Sequence, residues 1–196
     1  RRQRQMCIRD SSFTGWLFFC HLLMAQPHPK DIALFPQENP NRSISDLSGI
    51  CEFKKDPENI GIKNQWFNGL TETRSIAVPG SWNEQFTDSR DYLDAVWYQT
   101  EAFVPENWSD EEVWIRFGSV NYHATVWVNG QQLGIHEGGH LPFAFDISKV
   151  TKTGEKNTIV VRVENELKPI RVPTGDVPNG FFSNYPKSVS YTHLRA

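Results

Sequence analysis

Residues 113–147 read VWIRFGSVNYHATVWVNGQQLGIHEGGHLPFAFDI, and this stretch decides the fold. In residues 113–117, apolar side chains on one side alternate with Trp114 and Arg116 on the other. Alternation with a period of two residues indicates a strand with one buried face. A second alternating run, over residues 124–128, predicts another strand shortly after the first.

The dipeptide Asn129-Gly130 follows directly on this second predicted strand. Asn-Gly favours a type I′ hairpin turn, because both central residues of that turn adopt positive φ. The return strand is predicted over residues 132–136, and residues 141–145 are predicted to re-enter the core after two glycines. The centre of the molecule is therefore predicted to be antiparallel β structure.

Further strands are predicted over residues 47–54, 76–78, 95–104 and 158–164, with turn residues between them. In the third of these, one face is predicted to carry Val96, Tyr98, Thr100, Ala102 and Val104. In the fourth, Ile159, Val161 and Val163 are predicted to point inward, and Arg162 and Glu164 outward. Because no helical period is sustained, we predict an all-β fold, a jelly-roll or galactose-binding-like β-sandwich.

The charge pattern excludes some classes of partner. The 196-residue chain has a net charge of −3, and its longest run of like charge is Asp110-Glu111-Glu112. The lack of a basic stripe argues against nucleic acid or an anionic membrane surface as a partner. Cys7 and Cys20 precede the predicted domain, so Cys51 has no disulfide partner within it and is expected to be a small buried apolar residue.

The two ends of the chain do not resemble parts of a fold. Residues 6–10 can be encoded by ATG TGT ATA AGA GAC, and the reverse complement, GTC TCT TAT ACA CAT, encodes residues 189–193. This DNA resembles a transposase end used to tag fragments for sequencing. We therefore expect residues 1–11 and 189–196 to be adapter-derived tails, and the natural protein to extend beyond both of them.

An apolar run over residues 13–25 is too short to span a bilayer. Such a run is typical of a secretory signal peptide, so residues 12–25 predict a truncated leader and a secreted or periplasmic protein; a buried strand or helix is the alternative. Residues 26–46 contain four prolines and predict a linker. The folded domain is expected to span residues 47–188.

The segment His136-Glu137-Gly138-Gly139-His140 matches the H-E-x-x-H string of zinc proteases. That chemistry needs both histidines on one face of a helix. The Gly-Gly spacer costs a helix roughly 2 kcal/mol, and a predicted hairpin precedes the motif. The favoured interpretation is a loop in which His140 packs or hydrogen-bonds locally, and no catalytic, cofactor-binding or metal-binding residue is predicted.

The predicted domain is rich in tryptophan: Trp66, Trp82, Trp97, Trp108, Trp114 and Trp127. Exposed aromatic rings on a sandwich face bind sugars by stacking, but large aromatic side chains are more often buried in cores or interfaces. Trp97 and Trp127 alternate with smaller apolar residues on the opposite face of their strands. They are therefore predicted to fill a second face or an interface, and sugar stacking remains open.

Paired carboxylates are the other chemistry to consider, because two of them about 5–5.5 Å apart carry out retaining glycoside hydrolysis. The segment 110–112 is predicted to be a solvated turn. Glu164 and Glu166 flank Asn165 at the end of a predicted strand, and an exposed strand terminus is the favoured interpretation. The sequence therefore indicates no catalytic pair.

A series of motifs occurs in a fixed order: VPGSWN at 78–83, VWY at 96–98, VWVNG at 126–130, HEGGHLPF at 136–143, DI at 146–147 and VENEL at 163–167. This series resembles the N-terminal sugar-binding domain of glycoside hydrolase family 2, most closely that of the β-glucuronidases. The resemblance covers about residues 47–188. It implies that 136–140 is a loop of a jelly roll and that the zinc interpretation is a chance match.

In that family the domain packs beside an immunoglobulin-like domain and a catalytic TIM barrel, whose two glutamates act as nucleophile and acid/base. The resemblance therefore implies a domain that is inactive alone and belongs to a larger enzyme. That enzyme is expected to hydrolyse β-glycosides with retention, β-glucuronides in particular, without a cofactor. A free-standing carbohydrate-binding β-sandwich module is the alternative, and the sequence does not decide the sugar.

Overall fold

In a computed structural model of the chain, the structure describes residues 38–166 and the backbone of residues 194–195. The predicted leader and N-terminal tail lie outside these residues. The chain divides into two units, residues 1–44 and 45–196. In the described part of the first unit, Asn39 and Arg42 close a turn through two backbone hydrogen bonds of 3.0 and 3.1 Å. No helix among residues 38–166 is long and apolar enough to cross a bilayer.

The described part of the second unit is built mainly from strands. They are β1 (Gly49–Lys55), β2 (Arg74–Val78), β3 (Ala95–Val104), β4 (Trp114–Phe117), β5 (His123–Val128), β6 (Gln131–Glu137), β7 (Phe143–Asp146), β8 (Glu155–Glu164) and β9 (Leu194–Arg195). The described helical segments are one short α-helix, α1 (Trp82–Gln85), and the 3₁₀ turns Trp66–Asn68, Thr87–Ser89 and Glu106–Trp108.

The strands form two antiparallel sheets. The larger sheet has six strands in the order β2-β1-β3-β8-β5-β6, and the smaller has the order β7-β4-β9. Strands β3 and β8 lie at the centre of the larger sheet and pair along ten residues each. The two residues of β9, which fall in the predicted C-terminal tail, pair through their backbone with Arg116 and Phe117. The prediction of an all-β sandwich is confirmed.

The main core lies between the sheets and follows the predicted alternation. Val96, Tyr98, Ala102 and Val104 of β3 and Ile159, Val161 and Val163 of β8 all belong to it. Cys51 is 3 % exposed in this core, as predicted, and burial raises the pKa of its thiol. The smaller sheet contributes Ile115 and Phe117, which face the large sheet.

The predicted hairpin is confirmed at Asn129-Gly130, where φ is 51° and 79° respectively. Asn129 also fixes its surroundings, because its Nδ2 donates to the Val150 carbonyl at 2.8 Å and its Oδ1 accepts from the Thr158 amide at 3.0 Å. A bulge lies between Val126 and Trp127, where the register with β6 shifts. The shift leaves Leu133 as the extra residue, partly buried against the core.

The segment 141–145 re-enters the core later than predicted. Strand β7 begins at Phe143, and Phe143 and Phe145 pack against the core, whereas Leu141 is 71 % exposed. Pro142 has no amide hydrogen to donate to a ladder, so backbone pairing with β4 starts only after it.

The free edge of β2 is covered by a side chain. Gln85, at the end of α1, donates from Nε2 to the Ala77 carbonyl at 2.9 Å and accepts at Oε1 from the Ala77 amide at 2.8 Å. Its carboxamide thus replaces a neighbouring strand at that position. Edge strands with unpaired backbone groups promote association, and covering them prevents it.

Candidate functional site on the outer face of the large sheet

The outer face of the large sheet carries a stack of aromatic rings. Trp97 of β3 and Trp127 of β5 lie with ring centroids 5.3 Å apart at an interplanar angle of 23°. Phe67 stacks on Trp127 at 5.7 Å, and Trp66 meets Trp97 edge-on at 5.9 Å. Trp97 and Trp127 are only 0 % and 3 % exposed, because residues 56–71, here called the covering loop, lie over them. The predicted second face is confirmed, and this loop fills it.

Asp56 holds the beginning of the covering loop. Its carboxylate is fully buried and accepts three hydrogen bonds, from the Ile60 amide at 2.8 Å, the Gly61 amide at 2.9 Å and the Trp97 indole nitrogen at 2.9 Å. The loop passes so close to the ring that a Cβ on Gly61 would lie 2.5 Å from Trp97. One carboxylate thus ties the loop to the tryptophan that it covers.

The end of the covering loop is also anchored. The Leu70 amide donates to Gln99 Oε1 at 2.7 Å, and Lys54 Nζ donates to the Thr71 carbonyl at 2.7 Å. The same ammonium lies 4.4 Å from the centroid of the Trp66 ring. With both ends fixed, the faces of Trp97 and Trp127 are closed to a sugar ring in this arrangement. Sugar stacking on these two residues is therefore excluded for the conformation described.

The other tryptophans differ in exposure. Trp82 is fully buried in the main core, and Trp108 packs against that core. Trp114 is 48 % exposed on the outward side of β4, where its indole nitrogen lies 3.4 Å from Glu112 Oε2. Of the aromatic rings on this strand, Trp114 is thus the one placed to meet a ligand or another domain.

The H-E-x-x-H string does not lie on a helix. His136 belongs to β6, and its ring stacks on Phe143 at 3.9 Å, which in turn stacks on Phe117 at 4.8 Å. Burial lowers the pKa of His136. His140 is exposed and does not pack against the core, so the histidine that packs locally is His136. The two imidazoles do not share the helical face that a zinc protease needs.

The two glutamates at the end of β8 lie in different environments. Glu164 lies 3.4 Å from the Arg162 guanidinium, and its side chain is only 17 % exposed, so the exposed terminus predicted there was wrong. Arg162 donates to Asn59 Oδ1 at 2.8 Å, and the covering loop buries this predicted outward side chain. Glu166 is exposed, and the turn at 110–112 is solvated as predicted. Glu164 thus lies in an ion pair, whereas the other carboxylates lie at the surface.

Sequence reasoning missed Asp56, Gly61 and the anchoring role of Gln99. The available signal was Asp56-Pro57 directly after a strand, which marks a turn in which the aspartate accepts local amide hydrogens. Nothing in that signal names Trp97 as a partner, because Trp97 is 41 residues away in the chain.

Comparison with known proteins places these features in a family. Residues 44–172 match the family model described as "Glycosyl hydrolases family 2, sugar binding domain". The chain is 40 % identical over 147 residues to a beta-glucuronidase of Paenibacillus borealis, covering 74 % of this chain and 25 % of that protein. It is 37 % identical over 172 residues to the beta-glucuronidase of Mus musculus, covering 76 % and 26 % respectively.

Solved structures agree with these sequence matches. A beta-glucuronidase of Ruminococcus gnavus superposes with a TM-score of 0.70 at 42 % sequence identity, over 72 % of this chain and 24 % of that one. A complex of a beta-glucuronidase from the same organism with D-glucuronic acid gives a TM-score of 0.67 at 43 % identity. The chain therefore spans about a quarter of the length of the relatives that it matches.

Proposed function

Because this chain belongs to glycosyl hydrolases family 2 and comprises that family's sugar-binding domain, we propose that it is the N-terminal, non-catalytic domain of a longer β-glucuronidase. The observation that carries this proposal is the 40 % identity to a beta-glucuronidase of which the chain covers only 25 %. The described residues support it, because the aromatic rings of Trp97 and Trp127 are closed to a ligand and Glu164 is held in an ion pair with Arg162.

In the complete enzyme, hydrolysis is proposed to proceed with retention through a glycosyl-enzyme intermediate. Two carboxylates are needed for it, one as nucleophile and one as acid/base. Both are proposed to lie in a TIM barrel outside this chain. The role of the present domain is to pack beside that barrel and an immunoglobulin-like domain, and to shape the rim of the pocket for a β-glucuronide.

The proposal extends to the two ends of the chain, which are assigned to a leader and to sequencing adapters. Residues 12–25 are proposed to be the remainder of a secretory leader, which would place the enzyme in the periplasm or outside the cell. Residues 1–11 and 189–196 are proposed to derive from sequencing adapters. The chain is then a fragment of a longer reading frame.

The test is to read the genomic DNA past the codon for Ser188 and to express the complete frame. We expect a barrel with two glutamates at strand ends and hydrolysis of p-nitrophenyl β-D-glucuronide with retained anomeric configuration. The 196-residue chain is expected to be inactive on the same substrate. A stop codon shortly after this domain, or an intact barrel without glucuronidase activity, would contradict the proposal.

The exposure of Trp114 favours a second candidate, a free-standing carbohydrate-binding module. Such a module binds glycans on its own, and loss of an aromatic platform costs it about 1 kcal/mol or more. Titration of the 196-residue chain with glucuronides and β-glycan oligosaccharides distinguishes the two functions. Saturable binding that disappears in Trp114→Ala supports the module, whereas an absence of binding supports the domain of a larger enzyme.

A further inference from the structure

The segment Asn107-Trp108-Ser109 matches the acceptor sequence for N-linked glycosylation, which is asparagine, any residue except proline, and serine or threonine. So short a motif also occurs by chance, so its meaning depends on where the structure places it. An acceptor has to lie at the surface of the folded protein, because the attached oligosaccharide is bulky and hydrophilic. The surroundings of Asn107 meet this requirement.

The motif lies on the turn that follows β3. Trp108 ends the 3₁₀ turn Glu106–Trp108, where its amide donates to the Pro105 carbonyl at 3.0 Å and its side chain packs against the main core. Asn107 and Ser109, on either side of it, are both exposed. The tryptophan thus attaches the turn to the domain, while the acceptor and the hydroxyl residue remain at the surface.

The side chain of Asn107 has no structural role that a glycan would disturb. It makes no hydrogen bond to any residue that the structure describes. Other asparagines of the domain are used differently: Asn83 Nδ2 donates to the Ser89 carbonyl at 2.7 Å, and Asn129 Nδ2 donates to Asn157 Oδ1 at 2.8 Å. Of these amides, that of Asn107 is the one whose nitrogen is available for a covalent bond.

The turn lies at the end of the sandwich where β8 begins. The Gly154 amide, just before β8, donates to the Val104 carbonyl at the end of β3 at 2.8 Å. Strand β8 is ten residues long, so it ends about 30 Å away, at the opposite end of the sandwich. The chain continues from that opposite end, and a glycan on Asn107 would lie away from it.

We propose that Asn107 carries an N-linked glycan when the protein is made in a eukaryotic secretory pathway. The relative from Mus musculus shows that this domain occurs in eukaryotes. The inference rests on the proposed secretion of the protein, and it does not require that the complete enzyme is a β-glucuronidase.

The modification is a transfer of an oligosaccharide from a lipid-linked diphosphate donor. The bond between C1 of the first sugar and a diphosphate oxygen breaks, and a bond forms between that C1 and Nδ2 of Asn107. The proton that Nδ2 loses goes to the departing lipid diphosphate, so the only products are the glycosylated amide and that diphosphate.

The test is mass spectrometry of the complete enzyme, secreted from eukaryotic cells with a working leader in place of residues 1–25. Peptide N-glycosidase F in heavy-oxygen water converts a glycosylated asparagine to aspartate and labels it. We expect the label at position 107 in most copies of the secreted protein. Secreted enzyme without a label at this position would overturn the inference.

Three variants serve as controls. Ser109→Ala leaves Asn107 in place but removes the hydroxyl residue of the motif, so the label is expected to disappear, whereas Ser109→Thr is expected to keep it. Ser43→Ala removes the chain's other match, Asn41-Arg42-Ser43 on an exposed turn, and is expected to leave the label at Asn107 unchanged. A label that persists in Ser109→Ala would overturn the inference, because the attachment would not depend on the motif.

The same digestion of enzyme purified from its source organism tests the natural protein. A label at Asn107 supports the inference, and a bacterial source or an unlabelled natural enzyme overturns it. Glucuronidase activity is measured separately on the same samples. Its absence would contradict the proposed function and leave the result at Asn107 readable.

Discussion

The two faces of the large sheet are filled in different ways. On the inner face, residues from alternating positions of the strands meet the small sheet and, with a few loop residues, form a core of 20 buried side chains among the described residues. On the outer face, the described residues include a smaller buried cluster, in which Leu70 of the covering loop packs with Trp97, Trp127 and Val160 of the sheet. The inner core thus depends on strand alternation, which is local, and the outer one on a loop held by side chains of distant residues, among them the buried carboxylate of Asp56 and the amide of Gln99. Packing of the inner face should therefore dominate global stability, whereas the outer face should open locally.

The largest effect is expected on the inner face, for Phe53→Ala. Phe53 is fully buried, with Phe86 and Tyr98 at 5.2 and 5.4 Å, and its truncation is expected to cost about 3–5 kcal/mol. Urea unfolding followed by tryptophan fluorescence measures the loss. Ile50→Ala on the same strand is the control, because Ile50 is 70 % exposed and its truncation is expected to cost less than about 0.5 kcal/mol. Equal losses of stability in the two variants would show that the inner face of β1 does not form part of the core.

The next effect is expected on the outer face, for Asp56→Ala. The substitution leaves the Ile60 and Gly61 amides and the Trp97 indole without their acceptor and is expected to cost about 2–3 kcal/mol. Amide hydrogen exchange is expected to accelerate in residues 56–71 well before it does so in β3 and β8. If exchange accelerates uniformly across the domain, the two faces unfold together, and the outer face does not open independently of the inner one.

A smaller effect on the same face is expected for Lys54→Met. Methionine keeps an apolar stem but loses the ammonium that lies 4.4 Å from the Trp66 ring and donates to Thr71. The expected cost is about 0.5–1 kcal/mol, measured by urea unfolding. Lys63→Met, on an exposed position of the covering loop, is the control and is expected to change nothing. If both variants lose the same stability, the loss comes from removing a positive charge and not from the contacts of Lys54.

The smallest expected effect is a dependence of stability on pH, which arises from His136 on the inner face. Burial lowers the pKa of His136 below its ordinary value of 6.5, so between these two values the unfolded chain binds more protons than the folded one. Stability is therefore full above pH 6.5 and falls as the pH is lowered through the folded-state pKa. The urea midpoint of the wild type is expected to drop over this window more than that of His136→Phe. Parallel curves for the two proteins would exclude a role for this stack.

Much of the fold can be predicted from local sequence, as β5 and β6 show. Their alternation and Asn129-Gly130 specify two strands and the turn between them without reference to any distant residue. The end of the return segment is harder to predict, because Leu141 is apolar yet exposed and only pairing with β4 defines the start of β7. The same limit applies to His140, which the motif suggests is a packed residue and which is exposed.

The sequence by itself determined the class of fold, the inner face of each long strand, the hairpin and, through its ordered motifs, the family. These follow from chemistry within a few residues or from a pattern along the whole chain. Only the tertiary structure decided that Trp97 and Trp127 are covered and that Arg162 and Glu164 are withdrawn from solvent. Each of these depends on contacts between residues far apart in the chain, such as that between Asp56 and Trp97 across 41 residues. Periodicity along a strand indicates which face a side chain occupies, but it does not indicate which other segment covers that face.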